Sequence, residues 1–425
     1  MTLQRSKYHL SMGVVSAAAV IALAPPAFAQ IAEPYQPVSP DPTADDVLTR
    51  SQSDFTPVGG RLGSFFLYPR LNVETAYTDN TLGTPSNKKG DGYAIARGDI
   101  QLVSNWSRHK LELLAYGQAR NDFSLTSENT QTYGAALNGR YDVNNNTSID
   151  GNFRADKQAE DRLGVDNTIF TYNPLQFLML DSNIRAKTRL GALNLQGGVQ
   201  IVKLSYDNAL GAAGTIDESG LDNTRVLYQG TVRYDLTHST ALIFAGQYDT
   251  IDYRTSVFGD RNSSGYRLES GIGLRITHSL VGDIRIGYLH RSNENPVYPD
   301  LSGVSFYANM AWTPTRLLSV RMTANRDIEN SVTLNSPGNL RSTAQIRASY
   351  ELLRQLIVTP GFRFSRVTAI GIGGSNNEEE ATLQAIYRFN RQFSLTGKYR
   401  YFNRSAGLYQ PVEGSVISLG LALTL

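Results

Sequence analysis

The chain has 425 residues, 40 of them basic and 38 acidic, with a formal net charge of +2. Charge this close to balance does not suggest a nucleic-acid partner, and the absence of cysteine excludes a disulfide framework, a thiolate metal site and a cysteine nucleophile. Tyrosine (23) outnumbers phenylalanine (16), glycine reaches 37, only 18% of residues are charged and mean hydropathy is −0.28, so oily residues are not in general excess.

Residues 1–29 stand apart from the rest. Arg5 and Lys7 precede the apolar run MGVVSAAAVIALA, which is too short to cross a bilayer, and AFAQ offers a small-x-small cleavage site after Ala29. These are the parts of a secretory signal peptide. Its removal takes away two cations and no acid, leaving 38 residues of each sign. No later stretch holds the ~18 consecutive apolar residues of a transmembrane helix. Residues 30–60 are rich in Pro, Asp, Ser and Thr and read as a flexible periplasmic leader. The expected organisation is a signal peptide (1–29), this leader (30–60) and one domain (61–425).

From about Gly63 onward the apolar period is two, which is the strand period. YGAALNGRYDV sets Tyr133, Ala135, Leu137 and Tyr141 against Asn138, Arg140 and Asp142. VLYQGTVRYDL sets Val226, Tyr228, Val232 and Tyr234 against Gln229, Thr231, Arg233 and Asp235. VSFYANMAW repeats the pattern with Val304, Phe306, Met310 and Trp312 on one side. The last stretch, GSVISLGLALTL, alternates Ile417, Leu419, Leu421 and Leu423 with Ser418, Gly420, Ala422 and Thr424.

The connectors carry a second regularity. Eight short ones, such as DVNNNTS, RLGAL, DLTHST and FNRQ, alternate with nine long loops rich in Gly, Asn, Asp, Pro and Ser. Seventeen connections join about 18 strands. Lipid cannot satisfy stray backbone groups, so a membrane sheet must close on itself, with short turns on the periplasmic side and long loops outside. The expected fold is all-β: an up-and-down antiparallel transmembrane β-barrel of about 18 strands. Both termini are expected in the periplasm, with the final strand pairing to the first near SFFLYPRLNVETAY. Tyrosine excess fits the aromatic belts of such barrels.

At GGRLGSFFLYPRLNVETAYTDN the chain resembles the outer-membrane β-barrel porin family of Gram-negative bacteria. Gly60, Arg61, Gly63, Ser64, Phe65, Tyr68, Pro69, Asp79 and Asn80 carry the resemblance, and LLRQLIVTPGFRFSR and FNRQFSLTGKYRYFNR look like its barrel repeats. The resemblance extends from about Gly59 to the end. It implies a channel for solute or polymer, including an anionic exopolysaccharide in an export system. The partners it implies are outer-membrane lipid, the barrel insertion machinery and periplasmic polysaccharide-export proteins. The alternative is a structural or adhesive barrel with a closed pore and ligand-binding surface loops.

No catalytic, cofactor or metal residue is expected. His9 belongs to the signal peptide, while His109, His238 and His278 fall in or beside short turns. The repeated THS at His238 and His278 lacks a third group to orient a base. His290 lies near the outer end of a strand, close to Glu294 and Asp300. GIGGSNNEEE is Gly-rich, but no helix follows to present amides to a phosphate. The carboxylates of DNTLGTPSNKKGDGY and GTIDESGLDN lack EF-hand spacing and read as solvated loop charge. The informative pattern is basic. Arg97, Arg140, Arg185, Arg189, Arg233, Arg275, Arg321, Arg347, Arg363, Arg388, Lys398 and Arg400 all fall opposite the apolar face, as candidate lumen-lining residues. Inward acids look fewer, with Glu378 and Glu380 expected to approach from an outer loop. Tyr68, Tyr116 and Tyr307 also read as inward.

Overall fold

The structure is a computed structural model that describes residues 46–48, 50, 52–163, 171–211, 214–254, 260–277, 279–329, 338–370 and 374–425. The signal peptide, the leader up to residue 45, His9 and His278 lie outside the described residues.

Eighteen strands form one closed antiparallel barrel in chain order. They are β1 (Phe65–Thr78), β2 (Asp91–Ser104), β3 (Lys110–Asp122), β4 (Thr130–Asp142), β5 (Thr147–Ala159) and β6 (Gln176–Leu190). Next come β7 (Leu193–Tyr206), β8 (Asn223–Asp235), β9 (Thr240–Tyr253), β10 (Ser263–Thr277), β11 (Leu280–Asn293) and β12 (Leu301–Thr315). The last six are β13 (Leu318–Glu329), β14 (Asn339–Leu353), β15 (Leu356–Ala369), β16 (Ser375–Arg388), β17 (Phe393–Arg404) and β18 (Val412–Thr424). β18 pairs with β1, from Arg70 opposite Thr424 to Thr78 opposite Val416. That pairing leaves no wall edge for lipid to meet.

The connections alternate as the sequence predicts. Short turns such as residues 191–192, 316–317, 354–355 and 389–392 gather at one rim, and long loops such as 79–90, 123–129 and 294–300 at the other. Local chemistry makes the tight ones. Gly191 takes φ +62°, which lets two residues reverse the chain between β6 and β7. In 389–392, the Asn390 side-chain oxygen accepts the backbone N–H groups of Gln392 (2.8 Å) and Phe393 (2.9 Å).

Alternation sorts the two faces. On β18, Ile417 is 59% exposed and its neighbour Ser418 only 8%. Leu419 and Leu421 are exposed, while Gly420 and Ala422 are buried. Exposed Tyr228, Tyr248 and Tyr266 stand level on three successive strands near the long-loop rim. Exposed Tyr141, Tyr234, Trp312 and Tyr350 stand near the short-turn rim. These are the two aromatic belts of a bilayer-spanning barrel.

Apolar packing inside the barrel gathers at the long-loop mouth. Phe177, Met179, Val202 and Leu204 of β6 and β7 pack with Tyr206, and Leu289 and Ile328 pack with Ile370. Leu175, Ala209 and Leu221 add a cluster from the loops themselves. The loop after β5 folds inward, placing Leu163 against Phe402 and Val412. The other mouth receives the N-terminal stretch. Gly60–Leu62 pairs with the start of β1, and Asp46 and Val47 are buried against β13.

Candidate functional site

Eleven of the twelve basic residues singled out from the sequence stand on the face opposite the exposed apolar residues of their strands, and Arg321 faces the same way because it pairs directly with Arg347. Their electrostatic settings fall into two kinds.

On β2, β3, β4 and β5 each arginine meets an acid two residues further along its own strand. Arg97 pairs with Asp99 (2.7 Å), Arg120 with Asp122 (2.8 Å), Arg140 with Asp142 (2.8 Å) and Arg154 with Asp156. The spacing recurs on β8 as Arg233 with Asp235 (2.9 Å) and, reversed, on β11 as Asp283 with Arg285 (3.2 Å). Residues i and i+2 share a face, so each strand neutralises itself. Three guanidiniums also sit over rings: Arg97 over Tyr116 at 4.1 Å, Arg120 over Tyr93 at 3.9 Å and Arg285 over Tyr307 at 4.0 Å. Gly271, directly across from Arg285, leaves room for this, because a Cβ there would run into the Arg285 side chain. Arg185 lies across the ladder from Asp150, whose carboxylate Lys187 reaches at 3.0 Å. Arg189 and Arg275 sit near the short-turn rim, Arg189 at 3.9 Å from Asp235.

On the late strands the cations lean on distant acids. Arg363 and Arg400 share Glu380 at 3.1 and 2.9 Å. Arg400 also reaches Asp161 of the loop after β5 at 3.0 Å, and Lys398 reaches Glu74 of β1 at 3.1 Å. Arg388 donates to Gln52 (3.2 Å), and Glu351 takes Arg50 and Gln52 of the N-terminal stretch. Arg321 stands 3.7 Å from Asp46. Glu378 and Glu380 are corrected in place: both lie on β16 itself, buried within the wall, not on a loop. β16 starts at Ser375, three residues before Glu378, because its ladder with β15 already begins at Thr368–Ser375.

Near the long-loop mouth a third set is almost dry. Arg225 and Arg291 converge on Asp249, Arg267 pairs with Asp327, and Arg341 bridges Glu329 and Glu378 at 2.6 Å each. Arg70, also inward and directly opposite Asp99, was not singled out from the sequence. Tyr68, Tyr116 and Tyr307 fall inward, the last two beneath Arg97 and Arg285.

The histidines have structural settings. His109, at φ +64°, stacks on Tyr141 at 4.5 Å, and its backbone N–H donates to Asp142 (3.0 Å). His238 is an exposed turn residue. His290 lies on the outward face between Ser302 (2.9 Å) and Ser292 (3.0 Å), with Ser292 donating to Asp300 (3.2 Å).

The missed signals differ in kind. The Arg-x-Asp spacing at 97, 120, 140, 154 and 233 was open to reading, since it needs only strand period two. Asp46 and Asp161 carried no such signal, because the residues they meet lie hundreds of positions away.

Residues 52–424 match the family described as putative beta-barrel porin 2. Several solved barrels are similar in outline. OccAB4 of Acinetobacter baumannii is 13% identical with a TM-score of 0.44, covering 84% of this chain and 98% of its own. OpdL of Pseudomonas aeruginosa is 14% identical with a TM-score of 0.45, covering 86% and 99%. The siderophore receptor PiuA of A. baumannii is 9% identical with a TM-score of 0.46, covering 86% and 82%. No curated protein matches the chain.

Proposed function

The chain belongs to the putative beta-barrel porin 2 family, and on that premise we propose an outer-membrane channel that passes small anionic solutes in preference to cations. The observation that supports the preference is the make-up of the late wall. Arg321, Arg347, Arg363, Arg388, Lys398 and Arg400 face inward from β13, β14, β15, β16 and β17. At the same levels those strands supply Glu351 and Glu380, and the remaining acids are borrowed from Asp46, Glu74 and Asp161. Basic rings in a narrow pore favour anions. Salt screens the field within about 8 Å at physiological strength, so the bias is moderate and fades as salt rises.

The proposed orientation places the short turns and both termini in the periplasm, after cleavage behind Ala29. N-terminal sequencing of the mature protein checks the cleavage; a product that retains Met1 refutes it. Export of an anionic exopolysaccharide draws no separate support from the lumen. Loops fold into its long-loop mouth, and its wall is crowded with paired side chains.

The deciding experiment is the reversal potential of the reconstituted full-length protein across a KCl gradient. An anion-selective current that weakens at high salt is expected, and a cation-selective one overturns the proposal. A barrel that carries no current, and whose long-loop deletions abolish surface binding, supports the adhesive alternative instead.

A further inference from the structure

β13 and β14 place Arg321 directly opposite Arg347 in register, both facing inward. Like charges in directly opposed positions destabilise a sheet unless something lies between them. Arg347 makes no ion pair among the described residues, and Arg321 keeps a buried Nε without a hydrogen-bond partner. Neighbouring Ser319 is also buried and inward, two residues from Arg321. A hydroxyl beside two guanidiniums is an oxyanion cradle without a wall acid to fill it.

The occupant comes from the other end of the chain. Asp46 enters this mouth and accepts the Ser319 hydroxyl at Oδ1 (3.0 Å), while Oδ2 faces Arg321 (3.7 Å). Val47 follows, 1% exposed, its N–H donating to Ser319 Oγ (3.2 Å). Arg50 then pairs with Glu351 and donates to the Arg316 carbonyl, and Gln52 spans Glu351 and Arg388. The stretch therefore brings an acid to the unbalanced arginines and a cation to the wall's own acid.

We infer that Ser319, Arg321 and Arg347 form a subsite for the carboxylate or sulfate of a passing anion, and that Asp46 is its internal, displaceable occupant. The inference rests on the channel reading above and locates one binding step within it. A solute anion and the Asp46 carboxylate compete for the same donors. The N-terminal stretch thus sets how readily anions enter from the short-turn side.

The variant Asp46→Asn isolates the charge. Asp46 Oδ1 also accepts the Leu48 N–H (2.9 Å), closing the turn in which Arg50 N–H meets the Asp46 carbonyl (2.8 Å). Asparagine keeps such a cap as well as aspartate does. Sulfate, titrated from the short-turn side of a bilayer holding the full-length protein, is the probe. Half-block of the KCl current is expected at about fivefold lower sulfate, or less, in Asp46→Asn than in the native channel, within the usual span of coupling between sites. Adding Arg347→Gln to that variant is expected to abolish the gain. Sulfate protection against thermal unfolding of the full-length protein in detergent should follow the same order, and it reports even if a variant carries no current. Equal sulfate dependence of the native protein and Asp46→Asn by both readouts overturns the inference, as does a gain that survives Arg347→Gln. A cation-selective native reversal potential would instead overturn the anion-channel proposal, so the two failures are distinguishable.

Discussion

β2, β3, β4 and β5 and the late strands β13–β17 line the same lumen with the same residue types, yet they balance charge in opposite ways. The early wall neutralises each arginine from its own strand, as in Arg97–Asp99 and Arg120–Asp122, and two of the guanidiniums sit over tyrosine rings. Those charges are local, held against the wall and indifferent to anything moving through the pore. The late wall holds Glu351 and Glu380 of its own but draws further counter-charge from β1, the loop after β5 and the N-terminal stretch. Part of its balance therefore rests on groups outside its own strands. Selectivity is therefore expected to follow the late wall, while the early wall acts as a rigid, nearly neutral surface.

The largest expected effect concerns the strand that joins the two walls. Leu421 of β18 faces outward three residues before the strand ends at Thr424, so Leu421→Arg should cost about 1–3 kcal/mol of folding free energy, between the midplane and interface values. Inward Ser394, which pairs with Ala422 next to it, is the control: Ser394→Arg should cost far less. Ala422 itself is a poor control, since it is only 2% exposed and packed by its inward neighbours. Folding titrations into lipid vesicles measure both; equal penalties would mean that the two faces of β18 do not differ.

The next effect sharpens the contrast between the walls. Changing Lys398 and Arg400 together to Glu reverses the sign of two late-wall cations and sets Glu against Glu380, Glu74 and Asp161. The reversal potential should move clearly toward cations. An unchanged value would show that this wall does not line the conducting path.

A smaller shift of opposite sign is expected from Asp161→Asn. Arg400 keeps Glu380 but loses its loop partner, so anion preference should rise modestly in the same measurement. No rise would mean that Asp161 lies away from the ion path.

The smallest effect is expected on the early wall. Exchanging the members of one self-neutralised pair, Arg97→Asp with Asp99→Arg, keeps the local charge sum. The reversal potential should stay within error, although the lost stacking on Tyr116 and the cation now set directly opposite Arg70 should lower thermal stability. A selectivity change as large as that of the late-wall double variant would remove the distinction between the walls.

Much of this was legible before any coordinates. Alternation over GSVISLGLALTL and its sister segments assigns each side chain to a face, because strand geometry permits only two. Turn and loop lengths then give the strand count, and the order of strands follows because each returns beside its neighbour. The self-neutralised pairs were equally open, since Arg-x-Asp on a strand puts both charges on one side. A separate count of cations and acids hides them, because it does not record which charges share a strand face.

The sequence alone thus determined the class of fold, the lipid and lumen faces and twelve of the inward cations. All of these depend on spacings of one or two residues or on the lengths of connectors. Only the tertiary structure decided how the cations outside the Arg-x-Asp pairs are balanced. Arg400 meets Asp161, Lys398 meets Glu74 and Arg321 meets Asp46 across separations of hundreds of residues. The physical reason lies in closure. Strand register, the seam between β1 and β18 and the inward fold of one loop place these groups together, and no local spacing in the chain encodes their meeting.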